Sequence, residues 1–296
     1  MPSQQFQELY ESLRVAPDRG GMSLEQLREA GEAKARRYPL PPDVAHQAVM
    51  ANGAAAEWVS APGAAADRVL LYFHGGGYYR GSLHTVREMV GRISRASGLT
   101  ALSVDYRLAP EHPYPAAVED AVAAYRWLLE KGVAPRQIVL GGDSAGGGLC
   151  AALMIKVRGE GAPLPAAWVC LSPWVDLTQS GESYETRAHE DPSITKPYLD
   201  HAAQLYLNGV DAHDPLASPL YADLSGLPPL LIQVGTAEVL LDDSTRLEQN
   251  ARAAGVQVEL QSWEGMTHVW QNNGPQLPEA TDAVSKIGEF IKKVLA

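Results

Sequence analysis

Six short apolar runs, at residues 69–73, 101–106, 138–140, 168–171, 230–234 and 256–262, alternate with longer stretches in which apolar residues recur at helical spacing. Runs of this length are too short for helices, and the stretches between them are long enough for the crossover that joins two parallel strands. The alternation predicts an α/β fold around one mostly parallel sheet flanked by helices. The helical stretches fall near 85–97, 115–131, 145–158 and 242–254, with Pro115 suited to a first helical position and Gly132 and Gly255 to helix stops. Ahead of the first run, residues 4–38 carry two amphipathic helices, with Phe6, Leu9, Tyr10 and Leu13 on one and Leu24, Leu27 and Ala30 on the other, broken at Pro17 and Gly20. The alanine pieces 54–56 and 64–66 read as loop or strand edge.

The alternation fails at 177–227, where charges and turn formers such as Asp191-Pro192, Asp214-Pro215 and Pro219 crowd the chain. One helical piece, 196–208, stands within it, with Tyr198, Leu199, Ala202, Leu205 and Tyr206 as its apolar face. Together with the N-terminal helices this insertion is expected to form a lid. The expected organisation is the N-terminal part of a helical cap at 1–45, the first part of an α/β core at 46–176, a cap insertion at 177–212 and the second part of the core at 213–296.

Charge narrows the partners. With 24 basic against 35 acidic residues the net charge is -11, which repels nucleic acid and anionic membrane surfaces. The two cysteines, Cys150 and Cys170, have no metal-ligand spacing and read as reduced core thiols, so no metal is expected. Residues 1–15 are polar and amphipathic rather than basic and then apolar, and no stretch approaches the ~18 apolar residues of a membrane span. The expected location is cytoplasmic.

The pentapeptide Gly142-Asp143-Ser144-Ala145-Gly146 follows one apolar run and opens a helical stretch, which puts Ser144 in a sharp strand-to-helix turn. Such a turn is strained, so it needs neighbours without Cβ atoms, and the helix start beyond it presents free N–H groups and a positive dipole end. The tetrad His74-Gly75-Gly76-Gly77 lies at the end of the run 69–73, where consecutive glycines let backbone N–H groups converge on a developing oxyanion. A serine hydroxyl is a weak nucleophile near neutral pH and requires a base, which in turn requires an acid to hold its tautomer. Of the eight histidines, His268 alone follows the last apolar run, and it is also the only one after Glu238, which satisfies the chain order serine, acid, histidine. Glu238, Asp242 and Asp243 all follow the run 230–234. Asp242 and Asp243 precede a helix and look like capping and dipole-complementing residues, whereas Glu238 lies in the loop directly after the strand; it is the first candidate for the acid and Asp242 the second.

Tyr78 and Tyr79 beside the glycine tetrad, with Tyr198, Leu199 and Leu205 on the inserted helix, suggest an apolar pocket of limited depth. Tyr79, Asp143, Tyr198 and Leu205 are the candidate pocket residues, although Asp143 has an alternative role in steadying the cap or the glycine loop. Arg107, Glu111 and His112 are read as pins for a loop beneath the site, and Trp174 and Trp263 as core.

The chain resembles the hormone-sensitive-lipase-like carboxylesterases of the α/β-hydrolase superfamily. The resemblance is carried by His74 to Gly77 with Gly81-Ser82, by Asp105-Tyr106-Arg107-Leu108-Ala109-Pro110-Glu111-His112-Pro113-Tyr114-Pro115-Ala116, by Gly142 to Gly146, by Ser172-Pro173-Trp174 and by His268. It implies an eight-stranded, mostly parallel sheet with a helical cap, hydrolysis of small esters, and a homodimer by family analogy. It also carries the nucleophile and base onto Ser144 and His268, and the oxyanion-hole donors onto the backbone N–H groups of Gly76, Gly77 and Ala145. The family's acid is commonly Asp, whereas this chain has Glu238. The expected reaction is cleavage of short-chain carboxylic esters through an acyl-enzyme on Ser144, with a small-molecule ester as partner and no cofactor. Two other readings use the same scaffold: lactone or amide cleavage by the same three side chains, and a ligand receptor without catalysis, against which the presence of His268 argues.

Overall fold

The computed structural model describes residues 2–15 and 21–296, so Pro17 and Gly20 lie outside the described residues. Strands β1 (Ala45–Ala51), β2 (Ala54–Ser60), β3 (Ala65–Phe73), β4 (Leu99–Asp105), β5 (Ile138–Asp143), β6 (Ala167–Leu171), β7 (Leu230–Gly235) and β8 (Val258–Trp263) form one sheet in the order β1-β2-β4-β3-β5-β6-β7-β8. The β1–β2 and β2–β4 pairs are antiparallel and every other pair is parallel. Helices α1 (Gln4–Arg14) and α2 (Leu24–Ala35) precede the sheet; α3 (Leu83–Ser97), α4 (Ala116–Glu130), α5 (Ala145–Gly159), α8 (Leu241–Ala253) and α9 (Pro278–Val294) flank it. Between β6 and β7 lie only the short α6 (Ser183–Thr186), α7 (Lys196–Leu207) and a single turn of 3-10 helix.

Why the central runs lack polar residues is visible in the packing. Leu71, Phe73, Leu140 and Trp168 join one apolar cluster with α4 and α5, while their neighbours Leu70, Tyr72, Val139 and Val169 join a second with α3 and α9. Side chains alternate across a strand, so a sheet covered on both faces demands apolar residues at every position.

Local chemistry sets the helix ends. Ser3 caps α1, and Ser23 and Ser82 form capping boxes with Gln26 and Thr85. Helix α4 begins one residue later than expected: Pro115 is its cap residue, with φ -100°, and Ala116 is the first helical residue. Strand β1 and helix α9 are not among the expected elements, and of β2 only its first residues, 54–56, were expected as loop or strand edge. Strand β1 is an exposed edge with no apolar run, and β2 opens with alanines, which carry little strand signal. Their sequence mark is instead the two-residue connection Asn52-Gly53, with φ of 50° and 91°, the left-handed backbone that a tight hairpin requires. Helix α9 is legible in the spacing of Ala280, Ala283, Val284, Ile287 and Ile291, all buried.

The elements outside the sheet are tied to one another and to the loops after β3 and β4. Arg28 of α2 donates to the Tyr79 and Ala109 carbonyls and pairs with Glu111 at 2.7 Å. Tyr10 of α1 donates to the Glu190 carbonyl in the insertion. Tyr206 of α7 stacks on Tyr78 at 3.9 Å between ring centroids. Glu111 and Arg107 thus act as pins, the latter through Asp120 at 2.9 Å.

Candidate active site

Ser144 stands between the end of β5 and the first residue of α5 with φ 53° and ψ -120°, a backbone conformation that side-chain-bearing residues avoid. The strain is held by the surrounding chain. The Ser144 N–H donates to the Leu171 carbonyl at 2.8 Å, and its own carbonyl accepts from the Trp174 N–H at 2.9 Å. A Cβ on Gly142 would collide with the Gly146 carbonyl, and one on Gly146 would collide with the Phe73 carbonyl. These two glycines let the first turn of α5 lie directly on the end of β3, which brings the elbow beside the glycine loop.

That loop, His74 to Gly77, turns with φ 119° at Gly76 and 63° at Gly77. A Cβ on Gly75 would strike the Asp143 carboxylate, and one on Gly76 the Arg80 carbonyl. His74 is fully buried and stacks on Tyr106 at 4.3 Å, while the Tyr106 hydroxyl donates to the His74 carbonyl at 2.7 Å. Burial holds the His74 imidazole below its ordinary pKa. It is therefore neutral near pH 7, and its Nδ1–H donates to the Gly75 carbonyl at 2.7 Å. The Asp143 carboxylate accepts from the Tyr72 hydroxyl at 2.9 Å, and its burial raises its pKa. Asp143 thus faces the glycine loop and the sheet. Among the described residues, the N–H groups of Gly76, Gly77 and Ala145 have no acceptor in the protein.

Glu238 and His268 come together across two neighbouring strand ends. Glu238 Oε2 lies 2.8 Å from His268 Nδ1, with the carboxylate fully buried and the imidazole 11% exposed. The second oxygen, Oε1, accepts from the Gly235 N–H at 2.7 Å and from the Ser172 hydroxyl at 2.8 Å. With donors on Oε1 and the acid acting as acceptor throughout, Nδ1 carries the hydrogen and Nε2 is the free acceptor of the ring. The two loops are stitched by backbone bonds: Thr236 N–H donates to the Trp263 carbonyl and Ala237 N–H to the Met266 carbonyl. Gly235 permits this approach, since a Cβ there would collide with the Met266 carbonyl. Among the described residues no hydrogen bond joins the Ser144 hydroxyl to His268; in unliganded sites such bonds commonly tighten only on binding.

Asp242 and Asp243 stand in the first turn of α8, where a carboxylate complements the helix dipole, but neither caps the helix through a side-chain hydrogen bond. Asp243 is fully buried and accepts from the Val175 and Asp176 N–H groups and from the Tyr184 hydroxyl, and its burial lifts its pKa to about 7. Asp242 accepts from the Ser183 N–H. Both anchor the root of the insertion, because a carboxylate at the start of a helix also serves any N–H that tertiary packing brings to it. Asp191, in the insertion, accepts from the Val239 N–H at 3.0 Å, next to the acid, and its burial raises its pKa to about 6.

Of the candidate pocket residues, Tyr79 is buried, and its ring lies 5.9 Å from that of Tyr198, which Arg80 covers at 4.7 Å. Leu205 is half-buried on the same helix as Tyr198. A Cβ on Gly77 would press on Ala202, so α7 sits directly against the glycine loop. Ser172 and Asp191 are neighbours of Glu238 that were not among the candidate site residues. Ser172 carried two usable signals, its place directly after the end of an apolar run and its part in the Ser172-Pro173-Trp174 motif.

Residues 70–272 match a family described by its alpha/beta hydrolase fold. An acetyl-hydrolase of Streptomyces hygroscopicus is 48% identical over 237 residues, covering 80% of this chain and 79% of that protein. An esterase of Acinetobacter venetianus is 34% identical over 275 residues, covering 93% and 90%. The crystal structure of an esterase from the bacterial hormone-sensitive lipase family superposes with a TM-score of 0.97 at 49% identity, covering both chains completely. No helix among the described residues is long and apolar enough to cross a membrane. The strained serine elbow, the glycine loop and the buried Glu238–His268 pair thus stand in a chain that belongs to the α/β-hydrolase family, alongside the bacterial hormone-sensitive-lipase esterases, and that hydrolyses carboxylic esters.

Proposed function

We propose that Ser144 is the nucleophile, His268 the base and Glu238 the acid of a two-step acyl transfer on short-chain esters. Ser144 Oγ attacks the ester carbonyl as its proton passes to His268 Nε2, and Glu238 stabilises the imidazolium through Nδ1–H. The histidine then gives that proton to the leaving alcohol. In the second step it takes a proton from water, the hydroxide attacks the acyl-serine, and the acid product departs as Ser144 is reprotonated. The N–H groups of Gly76, Gly77 and Ala145 receive the oxyanion in both steps, each worth about 2.7 to 4 kcal/mol by analogy with measured donors. The observations that carry this reading are the 2.8 Å contact between Glu238 Oε2 and His268 Nδ1 and the strained serine at φ 53° after β5.

The short-chain preference is supported by the tyrosines that crowd the glycine loop, Tyr79 and Tyr198, and by α7 pressing on Gly77. It is also consistent with two relatives: one is named an acetyl-hydrolase, and crystals of EstE5, 47% identical with a TM-score of 0.96 over 99% of both chains, were soaked with p-nitrophenyl butyrate. The buried free thiols Cys150 and Cys170 suit a reducing compartment and fit action in the cytoplasm. The test is hydrolysis of p-nitrophenyl butyrate and palmitate by the parent protein and Ser144→Ala. The variant is expected to lose at least about 10⁴-fold in kcat on the butyrate ester. Retention of most of the parent rate removes Ser144 from the chemistry, and faster turnover of palmitate rejects the short-chain assignment.

A further inference from the structure

We propose that Ser172 is a positioning residue for this reaction: its single hydroxyl clamps the Glu238 carboxylate and the turn that carries His268, and thereby orients the imidazole. The inference rests on the assignment of Ser144, His268 and Glu238 made above. Ser172 follows β6 and is fully buried. Its hydroxyl donates to Glu238 Oε1 at 2.8 Å and accepts from the Val269 N–H at 3.2 Å. One oxygen atom therefore touches both the acid and the residue next to the base.

Two backbone outliers meet at this bridge. Ser172 has φ 46° and Val269, a β-branched residue, has φ 49°. A left-handed backbone favours glycine, and a valine there is strained. Ser172 N–H continues the sheet ladder to the Gln233 carbonyl at 2.8 Å, so the corner itself needs no side chain. Glycine would occupy it with less strain; the serine contributes only its hydroxyl. Strain kept at such a place points to a function for the side chain.

The need for the clamp follows from the acid's length. Glutamate has one more side-chain torsion than aspartate, so a contact to the Gly235 N–H alone leaves its carboxylate free to pivot. The Ser172 hydroxyl lands on the same oxygen as that N–H, which leaves Oε2 turned toward Nδ1. Among the described residues, Asp143, beside the elbow, and Asp191 also interact electrostatically with His268.

The experiment compares Ser172→Gly and Ser172→Ala with the parent protein, and each again in a Glu238→Gln background, using p-nitrophenyl butyrate and rates referred to the folded fraction from thermal unfolding. Glycine suits the φ of this corner, and alanine deletes the same hydroxyl without added backbone freedom. In the parent background each is expected to lower kcat/KM by about 10- to 100-fold, chiefly through kcat, as loss of a hydrogen bond to a charged group does. Removing a donor from Oε1 strengthens the carboxylate's attraction for the imidazolium, so the acid limb of the kcat/KM profile moves to higher pH. In the Glu238→Gln background the same deletion is expected to cost less than about threefold, because the group it acts through is gone. A rate within about threefold of the parent, or an equal loss in both backgrounds with an unmoved acid limb, overturns the proposal. If Glu238→Gln by itself keeps the parent rate, the underlying assignment of the acid fails instead.

Discussion

On one side of Ser144 the glycine loop works by what its residues lack, and on the other the Glu238–His268 pair works by what its side chains reach. At Gly75, Gly76 and Gly146 the backbone packs so closely that a Cβ would strike a carboxylate or a carbonyl. The product of that closeness is a set of N–H groups with fixed direction, at Gly76, Gly77 and Ala145. The Glu238–His268 side is assembled from side-chain bonds of 2.7 to 2.8 Å that cross from β6 to β7 to β8. The first half is therefore sensitive to volume and the second to hydrogen-bonding identity.

Glu238→Gln tests the second half with the largest expected effect. The amide keeps the volume but presents no charge to the imidazolium and can invert the hydrogen on Nδ1, so kcat is expected to fall by about 10⁴-fold, with the fold intact by circular dichroism. A loss below tenfold would show that identity matters less there than shape. Gly76→Ala addresses the first half: one methyl group, with no change in charge, must displace the Arg80 carbonyl from a backbone at φ 119°. The expected outcome is a loss of about 10² to 10³ in kcat, as for removal of an oxyanion donor, and a lower melting temperature. An unimpaired variant would deny that close packing sets the donors.

Arg28→Ala gives the smallest effect, since Arg28 touches neither half directly and instead ties α2 to the Tyr79 and Ala109 carbonyls. The expected change is about a threefold rise in KM for the butyrate ester with kcat within twofold, and a loss of about 1 to 3 kcal/mol in urea unfolding. The Arg28 guanidinium holds Glu111 down at about pKa 2, so the carboxyl is expected to return toward its ordinary range in the variant, readable by NMR titration. A kcat loss as deep as that of Gly76→Ala would mean that α2 positions the donors.

The elements most legible in the sequence were those whose signal is local. The central strands announced themselves because burial on both faces removes polar residues, and the elbow and tetrad because a strained turn selects glycine. Strands β1 and β2 gave no such signal: an exposed edge keeps its polar residues and alanine packs without a pattern, so only Asn52-Gly53 marked the hairpin. Asp243 does stand in the first turn of α8, but its hydrogen bonds were not legible, for a related reason. Its place before a helix suggested a cap, yet its partners are Val175, Asp176 and Tyr184 from another segment.

From residue order alone came the alternating fold, the strained serine, the glycine loop and the histidine after the last strand. Each depends on neighbours within a few positions, where backbone geometry ties residue type to shape. Residue order already ranked Glu238 first of three carboxylates, but its contact with the imidazole, and the serine that braces both, emerged from folding. Glu238 lies 30 residues from His268 and 66 from Ser172, and a hydrogen bond depends on tenths of an ångström that separation along the chain does not encode.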